Sequence, residues 1–309
     1  MRHVLGAALP YLTVGITDLH VGIGRSPGSV DLPVARDAFG LPYLPASALK
    51  GAVKALCLRL ESGNPYGCER LYGWDIRVRG DAPEEAWMSP VAFTDGLLFL
   101  YPARVDTGSG SRFAYVTSRL QLSRILSVLG GNCCLADAVR AIIDEAGGAG
   151  SHGGESLLVN NVPVDGVIEL NDESFLYRLS RRLMGLDQVP LPGLLLRSGI
   201  YVVEDNADFI QVVEAGIVRH TRVALDYRRK TVQSGHLWSE EYVPQGAVFA
   251  SMLVFSGGIP GAASATEACR SHLSLLDRVK GVLQVGGKET IGKGFVKILT
   301  SVEVGGQCR

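Results

Sequence analysis

The stretch LHVGIGRSPGSVDLPVARDAFGLPYLPASALKGAVKALCLRL, residues 19–60, decides how the rest of the chain is read. Gly22, Gly24, Gly28 and Gly40 with Pro27, Pro33, Pro42 and Pro45 punctuate residues 20–46 too densely for a helix or an unbroken strand. A loop of that length is uncommon inside a compact domain and is usually functional. It ends at Ser47, a residue suited to capping. From there Leu49, Ala52, Val53, Leu56 and Leu60 recur at three- and four-residue spacing, which predicts a helix over 47–60 with Lys50 and Lys54 on its opposite face. The apolar residues 4–16 before the loop predict a strand.

Working outward, SPVAFTDGLLFLYPARV (89–105) predicts a strand, a turn at Asp95-Gly96 and a second strand. Residues 120–200 mix helical pieces (121–129, 135–145, 171–184) with the glycine-rich stretch 147–154 and read as insertions on a core. From 199 to 256 strand patterns return around the helix-like FIQVVEAG. A helix over 266–279, the loop GGKETIGKG (286–294) and the strand FVKILTSVEV close the chain. Strand, helix, strands, helix, strand is the grammar of an α+β, ferredoxin-like sheet. With no charged linker or composition shift, residues 1–309 read as a single domain whose insertions lie mainly within about 120–198.

Two motifs resemble known sites and fail on their chemistry. Gly24-Arg25-Ser26-Pro27-Gly28 fits the pattern of a hydrolase nucleophile elbow, but Pro27 has no N–H to give an oxyanion hole. Gly287-Lys288-Glu289-Thr290-Ile291-Gly292-Lys293 copies the start of a phosphate-binding loop. Gly294 then stands where Ser or Thr must meet magnesium, and a strand follows instead of a helix. No histidine belongs to HxH, HExxH or a Cys/His cluster, so His3, His152, His220, His236 and His272 read as surface or capped residues. The six cysteines, at 57, 68, 133, 134, 269 and 308, contain no CxxC pair and read as reduced thiols.

Residues 19–60 as a whole resemble the opening signature of the RAMP superfamily of CRISPR-associated proteins. The resemblance rests on a His-containing turn, a glycine loop, an Asp in VDLP and a Pro-x-Ser-x-Leu-Lys-Gly helix start. Within that superfamily the chain resembles the fourth, repeated backbone subunit of type III-B (Cmr) effector complexes. AFTDGLLFLYPAR, FAYVTS, RVALDYRRKTVQSGHLWSEEYVP and GGKETIGKGF agree with it, which leaves residues 120–198 without motif support. The resemblance implies a modified RNA-recognition (RRM) palm with helical fingers and a β-hairpin thumb. It also implies copies stacked along a guide CRISPR RNA with other effector subunits, and a target RNA cut at regular intervals.

Carried over residue by residue, Asp31 takes the place of the essential catalytic aspartate and His20 that of the histidine in the preceding turn. Glu240 and Tyr242 of SEEYVP take the places of two accessory active-site residues, with Glu241 beside them leaving open which carboxylate points inward. Lys50 takes the place of a lysine on guide-RNA phosphate. The chemistry agrees with RNA cleavage by the ribose 2′-OH, which needs geometry, charge neutralisation and proton transfer but no protein nucleophile. Such cleavage would leave a 2′,3′-cyclic phosphate and a 5′-OH. Asp31, a hard oxygen donor, suits Mg²⁺ or Mn²⁺ and equally suits proton abstraction.

For RNA contacts, Lys50 and Lys54 lie on one helix face near its N-terminus. Arg219, Arg222, Arg228, Arg229 and Lys230 stand against Asp226 alone, and Gly292 and Lys293 lie in a loop whose backbone an RNA strand could approach. Arg178, Arg181 and Arg182 form a smaller cluster. The alternative is a guide-binding scaffold that does not cut. Thirty Lys+Arg against thirty-one Asp+Glu give a formal net charge of −1, so the lone chain is expected to bind RNA weakly and salt-sensitively. Hydrophobic residues make up 47%, which excludes a disordered chain. Pro10 and Tyr11 interrupt the only candidate leader and no apolar run reaches about 18 residues, so a cytoplasmic protein without a membrane span is expected.

Overall fold

The computed structural model describes residues 5–61, 66–73, 88–108, 110–130, 133–148, 157–170, 199–226, 228–257 and 263–300. Its centre is β1 (Leu5–Gly15), which pairs antiparallel with β12 (Val248–Ser256) on one side and β14 (Phe295–Thr300) on the other. Side chains alternate across a strand. Leu9 and Tyr11 therefore enter one core with Phe249, Leu253 and Phe255, while Leu12 and Val14 enter a second with Val248, Ala250 and Met252. A sheet buried on both faces explains why β1 reads as a nearly continuous apolar run. Each fully buried Leu or Phe contributes about 1.5–3 kcal/mol.

The first core is closed by α1 (Ala46–Leu60) through Leu49, Val53 and Leu56, and by α6 (Ala265–Arg278) through Ala268, Leu275 and Leu276. On the other face lie α3 (Arg119–Leu129) and α4 (Cys134–Gly148), bringing Leu122, Ile125, Val139 and Ile142. From edge to edge the sheet runs β13 (Val282–Gln284), β14, β1, β12, β4 (Gly96–Thr107), β5 (Gly110–Ser118), β9 (Ile200–Val203) and β8 (Val167–Leu170), with β2 (Tyr43–Leu44) and β6 (Leu157–Val159) also on β4 and β7 (Val162–Val164) on β6. The helix α5 (Asn206–Gly216) follows β9 and adds Phe209, Val212 and Val213 to the first core.

Three expectations are corrected. Ser47 does not cap α1: Pro45 occupies the cap position, and the backbone N–H of Ala46 donates to Asp95 Oδ1 at 2.7 Å. Asp95-Gly96 is not a hairpin turn, because β3 (Val91–Phe93) and β4 each pair with β12 rather than with one another. Cys57 and Cys68 are not reduced thiols but a disulfide joining α1 to α2 (Tyr66–Tyr72). Their spacing matches no redox motif, and they meet because α2 packs back on α1. The expected helix over 171–184, with Arg178, Arg181 and Arg182, lies outside the described residues.

What positions the site is a separate two-stranded ribbon, β10 (Val218–Leu225) and β11 (Val232–Tyr242), whose base meets the long loop. Leu32 bridges to Glu240 and Leu19 to Val243. The N–H of Leu32 donates to the Ser239 carbonyl and that of Glu241 to the Leu32 carbonyl, at 3.0 Å each. The loop thus has neighbours where the sequence offered only punctuation.

Candidate functional site

Alternation along β11 sorts the two adjacent carboxylates. Trp238, Glu240 and Tyr242 share one face, while Ser239 and Glu241 share the other. Glu241 is structural: Arg36 Nη1 donates to it at 2.8 Å and Arg219 Nε at 3.2 Å, with Arg36 also bound to Glu214. Of the Glu-Glu pair it is therefore Glu240 that lies with Tyr242, while Glu241 faces Arg36 and Arg219.

Glu240 is buried and receives Lys288, the Tyr242 hydroxyl, the Trp238 indole N–H at 2.6 Å and Arg222 Nε at 3.3 Å. Burial alone would raise a carboxyl pKa, but these donors and the charge of Lys288 outweigh it and hold Glu240 down at about 2. A carboxylate so strongly ionised cannot act as an acid near neutrality; it anchors the cations and hydroxyl around it. Burial, together with the hydrogen bond to Glu240, raises the Tyr242 phenol.

His20 packs against Tyr242 with ring centroids 5.5 Å apart. Its Nδ1 lies 2.8 Å from the Glu241 carbonyl, which only accepts, so Nδ1 carries the proton and Nε2 is the other nitrogen. Glycines make room for this imidazole. A Cβ on Gly22 would stand 2.8 Å from Nε2, and one on Gly286, at φ +87°, would stand 2.4 Å from the His20 carbonyl oxygen. The glycine loop is tied on by the Gly287 N–H to that same carbonyl at 2.9 Å.

Asp31 is set apart from this buried cluster. Its exposed carboxylate takes the Ser239 N–H and hydroxyl on Oδ2, at 2.8 and 2.9 Å, and its own N–H donates to Ser239 Oγ at 3.0 Å. The two donors of Ser239 lower its pKa. The peptide from Ser239 to Glu240 therefore links an open carboxylate on one side to the Glu240, Tyr242 and His20 cluster on the other.

The family model of the RAMP superfamily matches residues 14–297. The chain belongs to the RAMP superfamily. Among RAMP relatives, the CRISPR system CMR subunit Cmr4 of Saccharolobus solfataricus is 28% identical over 94% of this chain and 95% of that protein. The CRISPR system Cmr endoribonuclease Cmr4 of Pyrococcus furiosus is 25% identical over 92% of each. Among solved structures, a chain of the type III-B Cmr-β complex bound to cognate target RNA matches with a TM-score of 0.72. It is 26% identical, over 97% of this chain and 99% of that one.

The cations expected on RNA divide into two groups in this RAMP chain. Lys50 and Lys54 do share a face of α1. Desolvation and the charge of Lys54 lower the Lys50 pKa, and Lys54 donates to the Gly73 carbonyl at 2.8 Å. Arg228 lies exposed at the turn of the ribbon, where its N–H caps Asp226. By contrast, Arg222 is drawn into the Glu240 cluster, and Lys293 binds Asp18 at 2.6 Å with its ammonium 5.0 Å from the Tyr242 ring centre. Gly292, at φ +75°, ends the short 3-10 turn Glu289–Ile291 next to it. Sequence reasoning missed Ser239, Trp238 and Lys288. Lys288 was hidden in the discarded phosphate-loop pattern, and period-two alternation from Glu240 would have picked out Trp238.

Among the described residues, no three His, Cys, Asp or Glu side chains converge as a metal cage. Asp31 Oδ1, which takes neither donor of Ser239, is an open hard oxygen. That fits a cation held by one carboxylate together with RNA phosphate and water, the usual manner of Mg²⁺.

Proposed function

We propose that this chain is the repeated backbone subunit of a type III-B CRISPR RNA-guided effector, binding guide RNA and cutting complementary target RNA at regular intervals. One observation carries the reading. An open carboxylate, Asp31, is held by Ser239, one peptide along β11 from a buried Glu240, Tyr242 and His20 cluster, at the positions to which the family resemblance assigns cleavage. End-to-end similarity to the two Cmr4 proteins supports it.

In the proposed mechanism, base pairing between guide and target selects the sequence, and the protein meets backbone and shape. Asp31 Oδ1 takes the proton of the target 2′-OH as that oxygen attacks the neighbouring phosphate. Asp31 and the RNA phosphate would hold Mg²⁺ or Mn²⁺, which when bound would neutralise charge on the phosphate. Ser239 keeps the carboxylate oriented and ionised. Glu240, Tyr242 and His20 stay out of solvent and position the cationic side chains of Arg222 and Lys288 at the rim. Lys50, Lys54 and Arg228 add phosphate contacts.

The finer architecture belongs to the same proposal. The order β14-β1-β12-β4, with α1 after β1 and α6 between β12 and β14, is that of a ferredoxin-like palm and supports one. Fingers and thumb, copies of the chain, the other Cmr subunits and a cytoplasmic setting complete the reading. No described helix is long and apolar enough to cross a membrane. The test is to assemble the complex with matched and mismatched guides and follow a labelled target RNA, with Mg²⁺, Mn²⁺ or EDTA. Regularly spaced, guide-dependent, metal-dependent cuts leaving 5′-OH ends are expected. Intact target under all conditions would leave a guide-binding scaffold.

A further inference from the structure

We propose that Arg25 is a further catalytic residue, the guanidinium that takes up the charge growing on the scissile phosphate as the target strand is cut. The inference rests on the cleavage reading above. It gives a role to the Gly24-Arg25-Ser26-Pro27-Gly28 motif, which fails as a nucleophile elbow but carries a cation at its second place.

The long loop folds back on itself and brings Arg25 level with Asp31. Gly22 bridges antiparallel to Val34, the Ile23 N–H donates to the Pro33 carbonyl at 3.4 Å, and the Ser26 N–H donates to the Asp31 carbonyl at 3.0 Å. Gly24, at φ +89°, turns the chain between these bonds. The Gly28 N–H donates to Ser26 Oγ at 3.2 Å and closes the tip. Arg25, one residue before Ser26, is the charged side chain whose field reaches the Asp31 carboxylate. Both side chains are exposed. A Cβ on Gly24 would meet nothing within 4 Å, so the backbone just before Arg25 is open to an approaching strand.

The other cations near these carboxylates are already committed. Arg36 and Arg219 each bind both Glu241 and Glu214, while Arg222 and Lys288 bind Glu240. Arg25 has neither an ion pair nor a hydrogen bond among the described residues, which leaves its guanidinium for substrate. In the reaction the 2′-oxygen forms a bond to phosphorus while the bond from phosphorus to the 5′-oxygen breaks. The 2′-OH proton passes to Asp31, and the 5′-oxygen takes a proton from water. The non-bridging oxygens carry more negative charge in the transition state than before it, so a donor that binds them more strongly there accelerates the step. The planar fork of Arg25 can give two N–H bonds to those oxygens. Base and cation then meet one phosphate, because the same folded loop carries both.

The test uses the assembled effector carrying wild-type chain, Arg25→Ala, Arg25→Lys or Asp31→Ala, in single-turnover cleavage at saturating target with Mg²⁺ present and target binding measured alongside. Arg25→Ala should cut about 10²- to 10³-fold more slowly while binding target as wild type does. Arg25→Lys, which keeps the charge and loses the fork, should fall between the two. Added guanidinium ion should partly restore Arg25→Ala. A loss that vanishes once target saturates would make Arg25 a binding contact and overturn the assignment. So would a wild-type rate in Arg25→Ala, or a loss that neither guanidinium nor Arg25→Lys relieves. Asp31→Ala tells the two readings apart. If it is inactive beside a fully active Arg25→Ala, only the role of Arg25 falls; if it cuts like wild type, the cleavage reading itself is wrong whatever Arg25 does.

Discussion

Replacing Glu240 by Gln removes a buried negative charge from a site built to hold one. Its carboxylate is 1% exposed and bonded to Lys288, Tyr242, Trp238 and Arg222. These partners hold its pKa at about 2, against 4.5 for an unperturbed carboxyl. At about 1.4 kcal/mol for each tenfold in proton affinity, the gap corresponds to roughly 3 kcal/mol. That is an upper figure, since Lys288 and Arg222 reach solvent. The sign follows from the direction: a depressed carboxyl pKa stabilises the fold fully above the unfolded value near 4.5. The contribution drains away as pH falls from there toward 2. Urea unfolding of wild type and Glu240→Gln, at several pH values from 7 to 3, measures the difference. The variant should be less stable by up to about 3 kcal/mol at pH 7, with the gap narrowing steadily below pH 4.5. A gap independent of pH, or none at pH 7, would refute the assignment of Glu240 as the ionised anchor of this cluster.

Ser239→Ala should leave the fold intact while returning the Asp31 carboxyl toward its ordinary range; complex-dependent cleavage should fall by about 10-fold or more, with the acidic limb of its pH profile moved upward. Gly22→Ala drives a methyl into His20 Nε2 and should cost about 1–3 kcal/mol by overpacking, read as an earlier urea midpoint together with lost cleavage. Cys57→Ser opens the tie between α1 and α2 and should cost about 2–3 kcal/mol, read as an earlier urea midpoint than wild type under non-reducing conditions.

Much of the fold is legible in the residues, because its central strands and helices carry their own patterns. The spacing of Leu49, Val53 and Leu56 finds α1, and residues 4–16 find β1. What is missed depends on partners distant in sequence. Asp95 caps α1 from 49 residues away, and β3 and β4 both reach for β12 instead of each other. Local turn chemistry at Asp95-Gly96 cannot reveal that. The disulfide escapes for the same reason, since only the packing of α2 against α1 makes neighbours of Cys57 and Cys68.

The site divides along similar lines. Asp31, His20, Glu240 and Tyr242 are identified by motif, and three of them do converge. Their division of labour is not in the sequence. Burial keeps Glu240 and Tyr242 in the interior, whereas Asp31 stays exposed. Arg222 is read as an RNA contact from a run of positive charge, yet the ribbon's pairing sets it on Glu240.

Cleavage is assigned to Asp31. The most direct measurement assembles the effector with wild-type chain or Asp31→Ala and records target binding and target cleavage in the same samples. The expected result is unchanged binding and complete loss of the regularly spaced cuts. Cleavage by the Asp31→Ala complex at the wild-type rate would contradict it and move the nuclease to another part of the assembly.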